Sequence, residues 1–256
     1  MNHLRSFEGR AEAAADGQTK FPFGAQRVHI DGPAWGQALD VCCVEWSGNP
    51  PGDDELQSAA PAMPVELDTA IPRRKAEYLL GRLCARHALR RCGFDGAHLP
   101  WSRGAPAWPP GVVGSITHTE GFVAAAVSRC STVASVGIDA EIIADCAGVA
   151  AIRSIALSER ERRVVDETAA HSRYSLAERA TAIFSAKESF YKCVYPVIQS
   201  SFGFNVLRLL RWLEPQQHIE FELTCALGTN LPSGGRIVVP FSFARGCAQT
   251  AYVMSS

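Results

Sequence analysis

One pattern, a helix followed by strands, runs twice along this chain and most constrains what it can fold into. A helical stretch from Pro72 to about Cys92 opens on a proline suited to a first turn and stops at Gly93. Strand segments follow at Gly114–Thr117, Phe122–Ser128 and Val133–Asp139. The pattern then repeats, with helical periodicity over Cys146–Ile155, Ser158–Ala169 and Tyr174–Tyr195 and strands at Ile219–Ala226, Arg236–Phe243 and Gln249–Met254. Ser158 with Glu161 three residues later is a capping box that marks one helix start. The change falls near residue 130. This order predicts an α+β fold of two similarly sized halves packed together, not a single βαβ array. The expected divisions are a poorly ordered leader over 1–26, an N-terminal half over 27–130 and a C-terminal half over 131–256. Short strand candidates at Arg27–Ile30 and Val41–Trp46 precede a Gly- and Pro-rich loop at Gly48–Ala62.

Composition removes several classes. With 47% hydrophobic and 20% charged residues in 256, the chain is an ordinary globular protein. A net charge of −1 supplies no global field for nucleic acid or anionic membrane, so a polyanion site must come from local clustering. No apolar run approaches the ~18 residues of a membrane span. The first twenty residues lack the apolar core of a secretory signal. Nine cysteines without a C-x-x-C pair point to reduced thiols and a cytoplasmic protein. Neither G-x-x-x-x-G-K-[ST] nor G-x-G-x-x-G is present, so the common phosphate loops are excluded.

Four segments carry chemistry. In SVGIDAE, Ser135 to Glu141, strand periodicity points Asp139 and Glu141 to the same side. Two carboxylates so close repel unless a proton or cation lies between them, and oxygen-only ligands suit Mg²⁺ or Mn²⁺. Solvated acids at a strand end are the alternative. In FSAKESFYKCVYP, Phe184 to Pro196, Glu188 and Lys192 share a helix face at four-residue spacing, either as a surface ion pair or as a third metal ligand beside a phosphate-neutralising lysine. In RRKAEYLLGRLCARHALRR, Arg73 to Arg91, six arginines and one lysine accompany one acid, Glu77. Arg82, Arg86 and Arg90 form a stripe, while Ala76, Leu80, Leu83, Cys84 and Ala88 lie on a face that can dock on a core. Such a helix is either a solvated basic face or a surface for a ligand with several phosphates. In WSRGAPAWPPGVVGSITHTEG, Ser115 or Thr117 with His118 lacks the G-x-S-x-G elbow of a hydrolase; His118 and Arg103 read better as phosphate donors. Together these describe transfer of a phosphate-linked group to an acceptor hydroxyl, without a protein nucleophile.

G-S-I-T-H, V-G-I-D-A-E and F-S-A-K-E-S-F-Y-K, in this order and at these intervals, resemble the 4′-phosphopantetheinyl transferases, best the enterobactin-synthase-component-D (surfactin-type) branch, over roughly residues 70–200. The resemblance implies transfer of the phosphopantetheine arm of coenzyme A to a serine of an acyl, peptidyl or aryl carrier protein. Adenosine 3′,5′-bisphosphate would be released. It implies Asp139, Glu141 and Glu188 as Mg²⁺ ligands, with Glu188 also accepting the serine proton. Lys192, with Lys187 close by, would contact the pyrophosphate, and Arg74, Lys75, Arg82, Arg103, Ser115 and His118 would hold the coenzyme. The turn here is Gly104-Ala105-Pro106 where many members carry Gly-Lys-Pro, and Arg103, two residues before Ala105, is the expected source of that lysine's charge. The basic, apolar segment from Ile152 to Arg163 is the expected carrier-docking surface, and a monomer is the expected state. The alternatives are a Mg²⁺-dependent phosphoester hydrolase or nucleotidyltransferase, and a non-catalytic module that binds coenzyme A or a carrier.

Overall fold

The computed structural model describes residues 26–28, 39–45, 64–94, 99–102, 105–131, 133–168 and 172–255. Two antiparallel sheets form an α+β architecture, each with a long helix against it. The first sheet has strand order β1 (Gln26–Val28), β2 (Asp40–Glu45), β6 (Phe122–Arg129), β5 (Val112–Thr119). Helix α1 (Pro72–Arg91) packs on it through Leu79, Leu80, Leu83 and Leu89, which meet Val123, Ala125 and Val127 of β6. Between β2 and β5 the chain also makes a small hairpin of β3 (Trp101–Ser102) and β4 (Ala105–Pro106).

The second sheet has order β7 (Val133–Ile142), β11 (Cys247–Ser255), β10 (Arg236–Ala244), β9 (His218–Leu223), β8 (Leu207–Leu213). Helices α2 (Cys146–Ile155), α3 (Glu159–Glu167) and α4 (Leu176–Ile198) complete this part. The Ser158–Glu161 capping box forms as expected, and a second one, Ser175–Glu178, starts α4. Helix α4 runs on through Pro196 to a left-handed Gln199, further than the expected end at Tyr195. Pro196 lacks the N–H that would donate to the Lys192 carbonyl, and the helix ends two residues further on.

Strand β6 reads FVAAAVSR with no polar alternation because both its faces are buried. Val123, Ala125 and Val127 face α1, while Phe122, Ala124 and Ala126 meet Val136, Ile138 and Ala140 of β7. Helix α4 comes so near β7 that a Cβ on Gly137 would lie 1.9 Å from the Ser189 carbonyl oxygen, which explains the glycine of V-G-I-D.

The two sheets meet along edge strands β5 and β7. The N–H groups of Ile138, Ala140 and Ile142 donate to the hydroxyls of Ser115 (3.1 Å), Thr117 (3.1 Å) and Thr119 (3.4 Å). Side-chain oxygens at period 2 on β5 thus satisfy a backbone edge that would otherwise be unpaired.

Candidate active site

A cleft of ≈570 Å³ lies at this seam, walled by α1, β5, β7 and α4. Arg74, Arg82, Ser115, His118, Asp139, Glu141, Glu188 and Lys192 all line it. Eight of the residues expected at the site are therefore gathered by two helices and two strands. Trp108 closes one side and lies flat against Gly114, where a Cβ would fall 2.6 Å from the indole ring.

Asp139 and Glu141 point the same way from β7, as their spacing requires. Asp139 is 2% exposed. Its Oδ1 accepts from Lys192 Nζ (2.5 Å) and Thr117 Oγ1 (3.1 Å). Thr117 is fully used: it donates to Asp139 and accepts from Ala140 N and Lys192 Nζ (3.3 Å). Lys192 therefore reaches across to β7, and its partner is Asp139, not the Glu188 four residues before it. Burial, then the charges of Asp139 and Glu188, push the Glu141 carboxyl up to about 7, with Lys192 opposing. Burial and Asp139 likewise raise Glu188.

Among the described residues no three His, Cys, Asp or Glu side chains are drawn into a metal-ligand set. The donor chemistry nevertheless fits a hard divalent cation. Asp139 Oδ2 is buried and accepts no hydrogen bond, and Glu141 and Glu188, whose ionisation is opposed by burial and by Asp139, line the same cleft.

Facing the carboxylates is a basic wall. Arg74 Nη1 lies 2.5 Å from His118 Nε2, and His118 Nδ1 lies 3.3 Å from Glu77 Oε2. Burial, with Arg74 and Lys192, pushes the imidazole below its usual range while Glu77 pulls it up. Arg82 is 3% exposed, with its guanidinium 4.6 Å above the Tyr78 ring; burial lowers its pKa. The expected Arg82–Arg86–Arg90 stripe is thus not a solvated face: it runs from buried Arg82 to exposed Arg90.

Three expected site residues are not part of this gathering. Lys187 is buried elsewhere, its Nζ donating to Ala156 O (2.7 Å), Glu161 Oε1 (2.7 Å) and Phe204 O (3.2 Å). Three donors with three acceptors leave nothing for a coenzyme phosphate, so Lys187 is a structural residue. Lys75, half-buried in the first turn of α1, does not line the cleft. Arg103 lies outside the described residues. Glu77, Tyr78, Trp108, Tyr191 and Tyr195 line the cleft without having been singled out for it. Glu77 stood out as the one acid of a basic helix, and that isolation was its only signal.

Fold and cleft define an α+β protein that gathers carboxylates and cationic side chains in one cleft. Family models agree. That of the 4′-phosphopantetheinyl transferase N-terminal domain matches residues 63–128, and that of the 4′-phosphopantetheinyl transferase superfamily matches residues 135–231. The chain is 40% identical over 165 residues to the 4′-phosphopantetheinyl transferase Svp of Streptomyces mobaraensis, covering 61% of this chain and 63% of that one. Identity to PptT of Mycobacterium tuberculosis is 32% over 167 residues, covering 65% and 69%. Identity to enterobactin synthase component D of Escherichia coli is 34% over 159 residues, covering 62% and 72%. The chain belongs to the 4′-phosphopantetheinyl transferase family, a family of transferases that use coenzyme A.

Proposed function

We propose that the cleft moves the 4′-phosphopantetheine arm of coenzyme A to a serine hydroxyl of an acyl, peptidyl or aryl carrier protein. The serine Oγ forms a bond to the phosphorus that bears the arm, the pyrophosphate P–O bond breaks, and adenosine 3′,5′-bisphosphate leaves. The observation that carries this reading is the meeting of Arg74, His118, Asp139, Glu141, Glu188 and Lys192 in one cleft. Arg74, Arg82 and His118 bind the coenzyme's phosphates. Glu188, whose proton affinity is raised by burial and Asp139, accepts the serine proton. Lys192, seated on Asp139, offers its remaining N–H to a pyrophosphate oxygen. Asp139, Glu141 and Glu188 would hold Mg²⁺ or Mn²⁺, which when bound would supply charge neutralisation for the pyrophosphate.

The carrier side is read from α2 and α3. Arg153 and Arg163 are engaged with Asp166 (2.7 Å) and Glu159 (3.2 Å), and Leu157 is buried. That leaves exposed Arg160 and Ile155, 62% exposed, as the contacts for an acidic carrier. The protein acts as a monomer in the cytoplasm on this reading; among the described residues no helix is long and apolar enough to cross a membrane. The test is incubation with coenzyme A, Mg²⁺ and an apo-carrier. A carrier mass gain of one phosphopantetheine arm supports transfer. Release of adenosine bisphosphate with an unmodified carrier identifies a hydrolase, and neither outcome leaves a binding module.

A further inference from the structure

We infer that Glu77 is a positioning residue that fixes the tautomer of His118 and, through it, the direction of Arg74. The inference rests on the proposed use of Arg74 and His118 to hold coenzyme phosphate.

Glu77 is a carboxylate with a side chain only 7% exposed, at the centre of three cationic or potentially cationic groups. Its Oε1 accepts from Arg73 Nε at 3.0 Å. Its Oε2 lies 3.3 Å from His118 Nδ1 and 3.7 Å from Arg74 Nη1. Arg73 also reaches Glu120 at 3.5 Å on the rim, while Asp139 and Lys192 act on the imidazole from β7 and α4. Helical spacing places Arg74 and Glu77 on one face of α1, three residues apart, opposite the β5 position that presents His118.

Donor chemistry sets the direction of this network. A guanidinium can only donate, so the His118 Nε2 that lies 2.5 Å from Arg74 Nη1 must accept. The ring proton is then on Nδ1, the nitrogen 3.3 Å from Glu77 Oε2. The order is one-way: Arg74 donates to His118 Nε2, and the Glu77 carboxylate stands 3.3 Å from the protonated Nδ1 on the far side of the ring. With the other tautomer, Nε2–H would face the Arg74 N–H and push it away. Arg74, 44% exposed, is a long side chain whose ordering would otherwise be charged against ligand binding. Glu77 completes that ordering before an anion arrives.

The test reads the ring nitrogens of His118 by long-range ¹H–¹⁵N spectra of histidine-labelled protein without ligand, with the signal assigned by its loss in His118→Asn. Wild type is expected to show a protonated Nδ1 and a bare Nε2. Glu77→Ala is expected to move the ring towards an Nε2–H mixture, and Glu77→Asp to restore part of the wild-type pattern. In the transfer assay Glu77→Ala should raise the coenzyme A KM about tenfold with kcat within about twofold, the signature of a lost ground-state contact. An Nε2–H tautomer in the wild type overturns the inference, even if Glu77→Ala does not fold. So does a Glu77→Ala protein with unaltered tautomer and KM. Failure of the transferase reading is a separate result: no carrier mass gain from the wild-type protein, whatever its tautomer.

Discussion

Thr117 on β5 and Asp139 on β7 are joined by a 3.1 Å hydrogen bond across the seam between the two sheets, and Lys192 of α4 touches both. One hydroxyl therefore serves the join and the cleft together. Thr117→Val keeps the shape and removes the oxygen. It leaves the Ala140 N–H and one Asp139 bond unmet, each a loss of ~1–3 kcal/mol. Thermal melting should fall by several degrees and transfer should slow, while Thr117→Ser should restore both.

The carboxylate wall separates two kinds of acid. Asp139→Ala takes the acceptor from buried Thr117 and from half-buried Lys192, so it should destabilise the protein as well as abolish transfer. Glu141 accepts no comparable partner and sits where burial and two neighbouring charges oppose its ionisation. Glu141→Gln should raise the melting temperature without metal and remove most of the Mg²⁺-dependent rise, with transfer lost. An unchanged melting temperature in both conditions, with normal transfer, would remove Glu141 from the site.

Lys187 tests the difference between a coenzyme contact and a buried pair. Lys187→Met leaves Glu161, 2% exposed, without its cation, at a cost of ~3–5 kcal/mol. The surviving folded fraction should bind coenzyme A with an unaltered KM. Burial alone would raise the Glu161 carboxyl, but Lys187 and the N–H groups of Leu209 and Ser158 hold it below the usual range. A depressed carboxylate stabilises the fold above its unfolded pKa, and that contribution is lost as pH falls through the folded value. The penalty of Lys187→Met should accordingly shrink near pH ~4, where Glu161 can be neutral without its partner. Urea titrations of both proteins at neutral and acid pH would measure it.

Gly137→Ala places a methyl where Ser189 O and Cys193 N already stand, at 1.9 and 2.5 Å. Neither is a flexible side-chain end, so α4 must lift off β7. The expected result is loss of soluble protein or a melting temperature lower by many degrees; a melting temperature equal to wild type would mean that the helix is not seated on this strand.

Much of this arrangement could be read from residue spacing. Ser158–Glu161, the period-2 pair Asp139/Glu141 and the core face of α1 are local signals, and each appears where its periodicity put it. Strand β8 escaped because a register shift between Leu209 and Arg211 breaks the alternation that would have revealed it. Lys187 could have been separated from Lys192 on a helical wheel, since five residues turn a helix by about 140°. Glu77 could not: its partner His118 is a strand residue 41 positions on, brought near only when α1 lies across the first sheet. The Lys192–Asp139 pair, 53 residues apart, is equally a product of tertiary structure.

A main-chain ladder is indifferent to side chains, so almost any extended segment can join it. The Ser115–Thr117–Thr119 seam is different, because its acceptors are written in the side chains of one particular strand. It works as a keyed joint: the edge of β7 is closed to stray strands yet open to one counterpart, and the key includes Ser115, which lines the cleft, and Thr117, which holds the cleft residue Asp139. A substitution that takes the Thr117 hydroxyl from Asp139 would therefore also unkey the two sheets, and the cleft and the assembly of this protein cannot drift independently at that position.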